Sequence, residues 1–333
     1  MKFKGGSCVW RRIRIITLYF LVLLLFLTGV GSVYQWYGSA QDKKSYKPVG
    51  TLYEVAGHKM HLYVGGRGDT TVVFASGWGT SSPYADFSPL YKGLEPHVKV
   101  AVYDRFGYGF SDTTGRKRNI DTITDEIHEL LLAANLKPPY LFVGHSLGSL
   151  ETIRYAQRYP DEVKGILLIE GGSPEYYAAR EGYTIVSHGY RVLRNIGVLR
   201  TLYHVRGFPE WVNDQSNGLR LLPDDLKALS NKAALLKAGN KDMTDEIRQS
   251  RSNAKIILAG KKPLDVPLTV LTADYFGRLG SDKDWKDSEA ALSSWSRYGK
   301  QIIVPNSSHY IHSYQPDMVV KELLKLSELH SAR

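Results

Sequence analysis

Tyr140-Leu141-Phe142-Val143-Gly144-His145-Ser146-Leu147-Gly148 sets a serine among glycines where an apolar run gives way to an amphipathic segment. Pro138-Pro139 precede the run and Pro160 follows the segment, so the pattern predicts a strand over 140–143 and a helix over 146–159. Gly144 to Gly148 reads G-x-S-x-G. On a sharp strand-to-helix turn that motif lifts the serine hydroxyl clear of the chain, and the glycines leave room for the backbone to fold tightly. The helix N-terminus beside it adds a partial positive charge that favours a nearby oxyanion. Ser146 is therefore the candidate nucleophile, with Gly144, His145 and Gly148 as its supporting motif.

A serine hydroxyl is a poor nucleophile until a base takes its proton. Of ten histidines, His309 lies five residues beyond an apolar run at 302–304 and just before the last helical segment, in Asn306-Ser307-Ser308-His309-Tyr310-Ile311-His312. With these residues in place, the chain resembles the α/β-hydrolase superfamily from Thr51 to the C-terminus. That family carries its catalytic histidine in a loop after the last strand, in a pattern written G-H-x-x-H-x-x-x-P. The match runs from Ser308 to Pro316, with Ser308 where glycine is usual. The resemblance implies His309 as the base and His312 as a supporting residue. Chemistry alone leaves His312 as an alternative base.

Two more segments fit the resemblance. Phe74-Ala75-Ser76-Gly77-Trp78-Gly79 follows an apolar run where the family keeps its His-Gly loop, with Ser76 in place of histidine. The resemblance implies an oxyanion hole made by the backbone N–H groups of Trp78, after Gly77, and of Leu147, after the nucleophile. Asp104-Arg105-Phe106-Gly107-Tyr108-Gly109-Phe110-Ser111 is similar to the family's D-R-x-G-x-G-x-S loop and is read as shaping the wall near the nucleophile. Its glycines lack the third glycine and following helix of a dinucleotide site.

The acid has two candidates. In the commoner family arrangement it follows the strand at 268–272. There Phe276 occupies the usual acid position and Asp274 sits two residues early. In the other arrangement it ends the preceding core strand, where this chain has Glu170 after Gly165-Ile166-Leu167-Leu168-Ile169. A carboxylate at the mouth of an apolar strand is costly unless it is used or paired. Glu170 is the preferred acid and Asp274 the alternative; either keeps the chain order Ser, acid, His.

Outward from this centre, apolar runs at 72–75, 98–103, 165–169, 268–272 and 302–304 alternate with helical patterns at 84–94, 120–134 and 317–329. That alternation predicts an α/β-hydrolase fold, a mostly parallel doubly wound sheet. A hairpin over 51–55 and 59–64 precedes it. Residues 174–262 interrupt the alternation with helical segments at 190–202, 223–238 and 244–255 and no convincing strand. That length exceeds any ordinary loop, and it is read as an inserted helical cap roofing the pocket. Its Tyr176, Tyr177, Tyr183 and Trp211 point to an apolar acyl or aromatic substrate group.

Residues 15–41 carry no charge, and 15–33 are nearly all Ile, Leu, Val, Phe and Tyr. Nineteen such residues span about 28 Å as a helix, enough for a hydrocarbon core of about 30 Å. Tyr34, Trp36 and Tyr37 follow as an interfacial belt, and residues 1–14 hold five basic residues and no acid. The expectation is an uncleaved transmembrane anchor over 15–37, with residues 1–14 cytoplasmic, 38–50 a polar stalk and 51–333 extracytoplasmic. A cleaved signal with its small-residue site at Gly38-Ser39-Ala40 is the alternative.

The net charge of +10 over 333 residues falls to 38 basic against 33 acidic residues once the N-terminal five are set aside. Those charges are interspersed, which argues against nucleic-acid binding. One cysteine, Cys8, excludes an intrachain disulfide and a zinc cluster built on cysteines. The motifs imply a serine hydrolase acting on an ester or related acyl bond, with no cofactor or metal needed. A serine at the elbow argues against dehalogenase and epoxide hydrolase chemistry. A slowly turning ligand sensor and a serine acyltransferase are the competing readings.

Overall fold

Five short stretches, each apolar enough to be buried on both sides, build the centre of an eight-stranded sheet. The computed structural model describes residues 6–208, 221–275 and 283–329; Trp211 and Phe276 lie outside them. The strands are β1 (Thr51–Val55), β2 (His58–Gly66), β3 (Thr71–Ala75), β4 (Lys99–Asp104), β5 (Tyr140–His145), β6 (Val163–Ile169), β7 (Leu264–Ala273) and β8 (Ser296–Val304). Their order is β1-β2-β4-β3-β5-β6-β7-β8, antiparallel at β1–β2–β4 and parallel thereafter. β3 and β5 are buried at every position, as fits near-continuous apolar strands covered on both faces. β8, at the edge, is buried only at its two ends, Ser296 and Val304. The sequence pattern found only its last three residues, because the rest lacks a continuous apolar run.

Helices α2 (Pro83–Leu94), α3 (Ile120–Ala133) and α4 (Gly148–Arg158) connect the first parallel strands, and α12 (Pro316–Glu328) closes the chain. Ile123, Ile127, Leu130 and Ile153 pack α3 and α4 against one face, while Phe87, Leu90 and Leu323 pack α2 and α12 against the other. Between β6 and β7 lie α5 (Pro174–Ala178), α6 (Thr184–Asn195), α7 (Val198–Tyr203), α8 (Asp224–Lys237) and α9 (Lys241–Ala259). The expected helix over 190–202 is broken at Gly197, whose φ is +75°. Helix α10 (Lys283–Leu292), which the apolar pattern did not reveal, follows β7, and the short α11 (Ile311–Tyr314) precedes α12.

The N-terminal helix α1 runs from Gly6 to Ser45. Its Trp10–Ser45 portion is long and apolar enough to cross a membrane, and its most apolar stretch is not buried against the rest of the protein. The polar stalk expected over 38–50 is corrected by this helix, which continues through residues 38–45. Its polar side chains have partners on the insertion: Gln35 donates to the Leu235 carbonyl at 2.9 Å, and Arg200 bonds Gln35 at 2.9 Å and Asp42 at 2.7 Å. Arg200 and Gln35 are both buried. Removing one member of such a network strands the others. Arg200→Met should therefore cost about 2–4 kcal/mol, read as a lowered Tm of the full chain in detergent micelles. An unchanged Tm would show that α1 and the insertion are not coupled.

Candidate active site

The turn from β5 into α4 places Ser146 at φ +51°, a conformation that a non-glycine residue adopts only when its surroundings hold it there. The Ser146 N–H donates to the Ile169 carbonyl at 3.2 Å, and its carbonyl accepts from the Gly172 N–H at 3.0 Å and the Ser149 hydroxyl at 2.8 Å. Both motif glycines are sterically required. A Cβ at Gly144 would lie 2.8 Å from the Thr152 hydroxyl, and one at Gly148 only 2.5 Å from the Ala75 carbonyl. Leu147 caps α4, so the helix begins two residues later than the sequence pattern indicates. The Ser146 side chain is hydrogen-bonded with the hydroxyl of Tyr177, on α5.

The loop after β3 lies directly over this turn: a Cβ at Gly77 would sit 3.2 Å from the Cβ of Ser146. Arg105, buried beneath it, donates to the carbonyls of Ser76 at 2.7 Å and Gly77 at 3.1 Å. With these carbonyls held from below, the loop stays against the elbow. Arg105 is itself held by Glu151 at 2.5 Å and Glu246 at 3.2 Å. The Trp78 indole donates to the Met243 carbonyl at 2.9 Å, which fastens the loop to α9. The Asp104–Ser111 segment thus supports the loop, as expected of a wall, and Arg105 is its working part.

Glu170 is fully buried at the end of β6, with φ +45°. One oxygen accepts from the Ala273 N–H at 2.6 Å. The other accepts from the Tyr275 hydroxyl at 2.6 Å, the Trp285 indole at 3.2 Å and His309 Nδ1 at 3.3 Å. Burial alone would raise its pKa, but His309, Tyr275 and the Ala273 amide outweigh it and hold the carboxyl below its usual range. Asp274 does something else. Its oxygens accept from the backbone N–H groups of Asn306 at 3.0 Å and Ser307 at 3.1 Å, bracing the loop that carries His309. Ser146 and His309 line one open cavity of about 380 Å³, with Tyr176, Tyr183, Ile247 and Trp285.

The family model described as the alpha/beta hydrolase fold matches residues 70–184, from the start of β3 through the Ser146 turn into the insertion. Among the solved structures, the enol-lactonase from Burkholderia xenovorans LB400 superposes with TM-score 0.61 and 16% identity, over 84% of this chain and 100% of its own. The thermophilic esterase from Thermogutta terrifontis gives 0.59 and 14%, over 83% and 96%. The chain has the α/β-hydrolase fold. Uncharacterized protein YbdG of Bacillus subtilis (strain 168) is 28% identical over 319 residues, covering 94% of this chain and 96% of its own.

His312 is outside the cavity. It is fully buried behind the loop, with Nε2 3.3 Å from Asp86. His145 Nε2–H donates to the His309 carbonyl at 3.0 Å, and its ring lies 4.9 Å from both His309 and His312. Burial, then the neighbouring His309 and His312, hold His145 neutral. Asp86, His145 and His312 bring metal-capable atoms within 4.8 Å of one another, the one such group among the described residues. Their contacts with one another and with the His309 backbone make them a brace behind the loop. A larger hollow of about 1000 Å³ lies at the opposite ends of β6, β7 and β8, around Val163, Val266 and Tyr298, far from Ser146.

Sequence reasoning missed Tyr275, Trp285 and Glu289, because only the folded chain brings α10 beside Glu170. Glu289 is fully buried and hydrogen-bonds Glu170. Neither of its oxygens meets an N–H or hydroxyl donor among the described residues. Burial, then the Glu170 charge, raise its pKa far above the usual carboxylate range, so it is protonated at neutral pH and donates to Glu170. The folded chain keeps this proton where the unfolded chain has lost it, so Glu289 makes stability fall as pH rises above about 4.3. Glu289→Gln, which keeps a donor and cannot ionise, should remove that slope. Denaturant unfolding between about pH 5 and 8 should then show the variant gaining on the parent protein as pH rises. Parallel curves would place Glu289 outside this proton sharing.

Proposed function

We propose that this protein of α/β-hydrolase fold is a serine hydrolase that cleaves a carboxylic ester, or a related acyl bond, through an acyl-enzyme. The observation that carries the reading is the 3.3 Å contact between Glu170 and His309 Nδ1, in the cavity that Ser146 also lines. An ionised Glu170 keeps the proton on Nδ1 and leaves Nε2 free as the base. His309 takes the Ser146 proton as the hydroxyl attacks the substrate carbonyl. The backbone N–H groups of Trp78 and Leu147 receive the oxyanion, and His309–H⁺ then protonates the leaving alcohol. Water, activated by the same histidine, releases the acid and restores Ser146.

The cavity's tyrosines, Trp285 and Ile247 favour an apolar acyl or aromatic group. Helix α1 anchors the enzyme in a membrane, with its basic N-terminal residues cytoplasmic and the hydrolase domain outside. Steady-state hydrolysis of p-nitrophenyl esters by the full chain in detergent tests the roles. Ser146→Ala should lower kcat about 10⁴-fold or more, and Glu170→Gln about 10³–10⁴-fold. Asp274→Asn should lower kcat by less than about tenfold while reducing Tm, because it loosens a loop and removes no reacting group. A larger kcat loss in Asp274→Asn than in Glu170→Gln would reverse the assignment of the acid.

A further inference from the structure

Helix α6 is amphipathic in an unusual direction. Its inner side is pinned to α9 by Ser187, 2.7 Å from the Thr244 hydroxyl, and by Arg191, which donates to the same hydroxyl at 2.6 Å. Its outer side presents Ile185, 77% exposed, and Val192, 56% exposed, seven residues apart on one helical face. Tyr183, Val186, Leu193 and Val198 extend the exposed apolar surface. From Gly182 to Phe208 there is no acidic residue; Arg191, Arg194 and Arg200 bond inward, and Arg206 is exposed. An apolar face with basic and no acidic residues is the composition of a helix lying in a lipid–water interface.

The position of α6 identifies the occupant. The turn between α6 and α7 packs backbone to backbone on α1: a Cβ at Gly31 would collide with the Ile196 carbonyl, and one at Gly197 with the Gly31 carbonyl. Gly31 stands two residues before the end of the apolar run at 15–33, about 3 Å along the helix axis. The exposed face of α6 is thereby continuous with the outer end of the candidate span. Beneath α6, Val186, Tyr190 and Leu199 line a cavity of about 260 Å³ whose far side is Trp78, Gly79 and Tyr310. Its lining thus joins Val186 of the apolar face to the loops that carry the proposed oxyanion hole and His309.

We infer that the α6 face docks on the outer surface of the bilayer crossed by α1, and that the enzyme draws an amphiphilic acyl substrate from that leaflet. The substrate half of this inference rests on the serine hydrolase reading; the docking half does not. The test uses the full chain with Cys8→Ser and a single NBD-labelled cysteine at Ile185→Cys, Val192→Cys or, as control, Tyr298→Cys on the far edge of the sheet. Each is reconstituted in vesicles of phosphatidylcholine and phosphatidylglycerol, with lipids spin-labelled near the headgroup as quenchers. Labels at 185 and 192 should be quenched at least twofold more than at 298, and equal quenching overturns the docking.

In a second arm, Ile185→Asp combined with Val192→Asp should cut hydrolysis of a long-chain ester embedded in the vesicles tenfold or more. Hydrolysis of a soluble short-chain ester should be unchanged. Equal effects on both esters, or none on the embedded one, overturn lipid-side entry. Failure of the parent protein to hydrolyse either ester would defeat the serine hydrolase reading instead, and the quenching arm would still decide the docking.

Discussion

One buried carboxylate organises this end of the molecule. Glu170 has no solvent to stabilise its charge, so it must be surrounded by donors. They come from four places: the last residue of β7, the tyrosine two positions later, Trp285 on α10 and His309 beyond β8. His309, Tyr275 and the Ala273 amide together keep the carboxylate ionised. The protonated Glu289 fills the remaining side, where a second negative charge would oppose the first. The same interaction that stabilises Glu170 therefore orients the His309 imidazole toward the Ser146 cavity. Asp274 and the Asp86–His312–His145 brace act on the backbone of the His309 loop and leave the imidazole to Glu170.

Most of the sheet was legible because its central strands are short, apolar and bounded by Gly or Pro, features that depend on local chain alone. The Ser146 turn was legible for the same reason: strand, glycine-flanked serine and helix are contiguous. The acid was harder. Both Glu170 and Asp274 end strands at the same edge of the site, and no sequence pattern separates a carboxylate that meets an imidazole from one that meets two backbone amides. Tyr275, Trp285 and Glu289 became relevant only when α10 folded across the end of β7. The break at Gly197 accompanies a close approach to Gly31, far away in the chain, which no local pattern shows. The helical continuation of α1 past residue 37 was hidden likewise, since polar residues there read as a stalk until Arg200 and Leu235 supply their partners.

The coupling of α1 to the insertion gives the architecture a direction. Gln35, Asp42 and Gly31 fix the α6–α8 region to α1, while Trp78 and Arg105 fix the loop after β3 to α9. Two attachments thus connect the apolar helix at one end to the Ser146 turn at the other. A hydrolase domain tethered by a flexible stalk would sample many orientations. This one holds one face of its insertion against α1, the candidate membrane span.

The central claim is that Ser146 is a nucleophile activated by the His309–Glu170 pair. The most direct measurement is reaction of the full chain with a fluorophosphonate, followed by peptide mass spectrometry to locate the adduct. One adduct is expected, on Ser146, formed by the folded protein and absent when the protein is denatured before the reaction. An adduct on another residue, or none in folded protein, would contradict it.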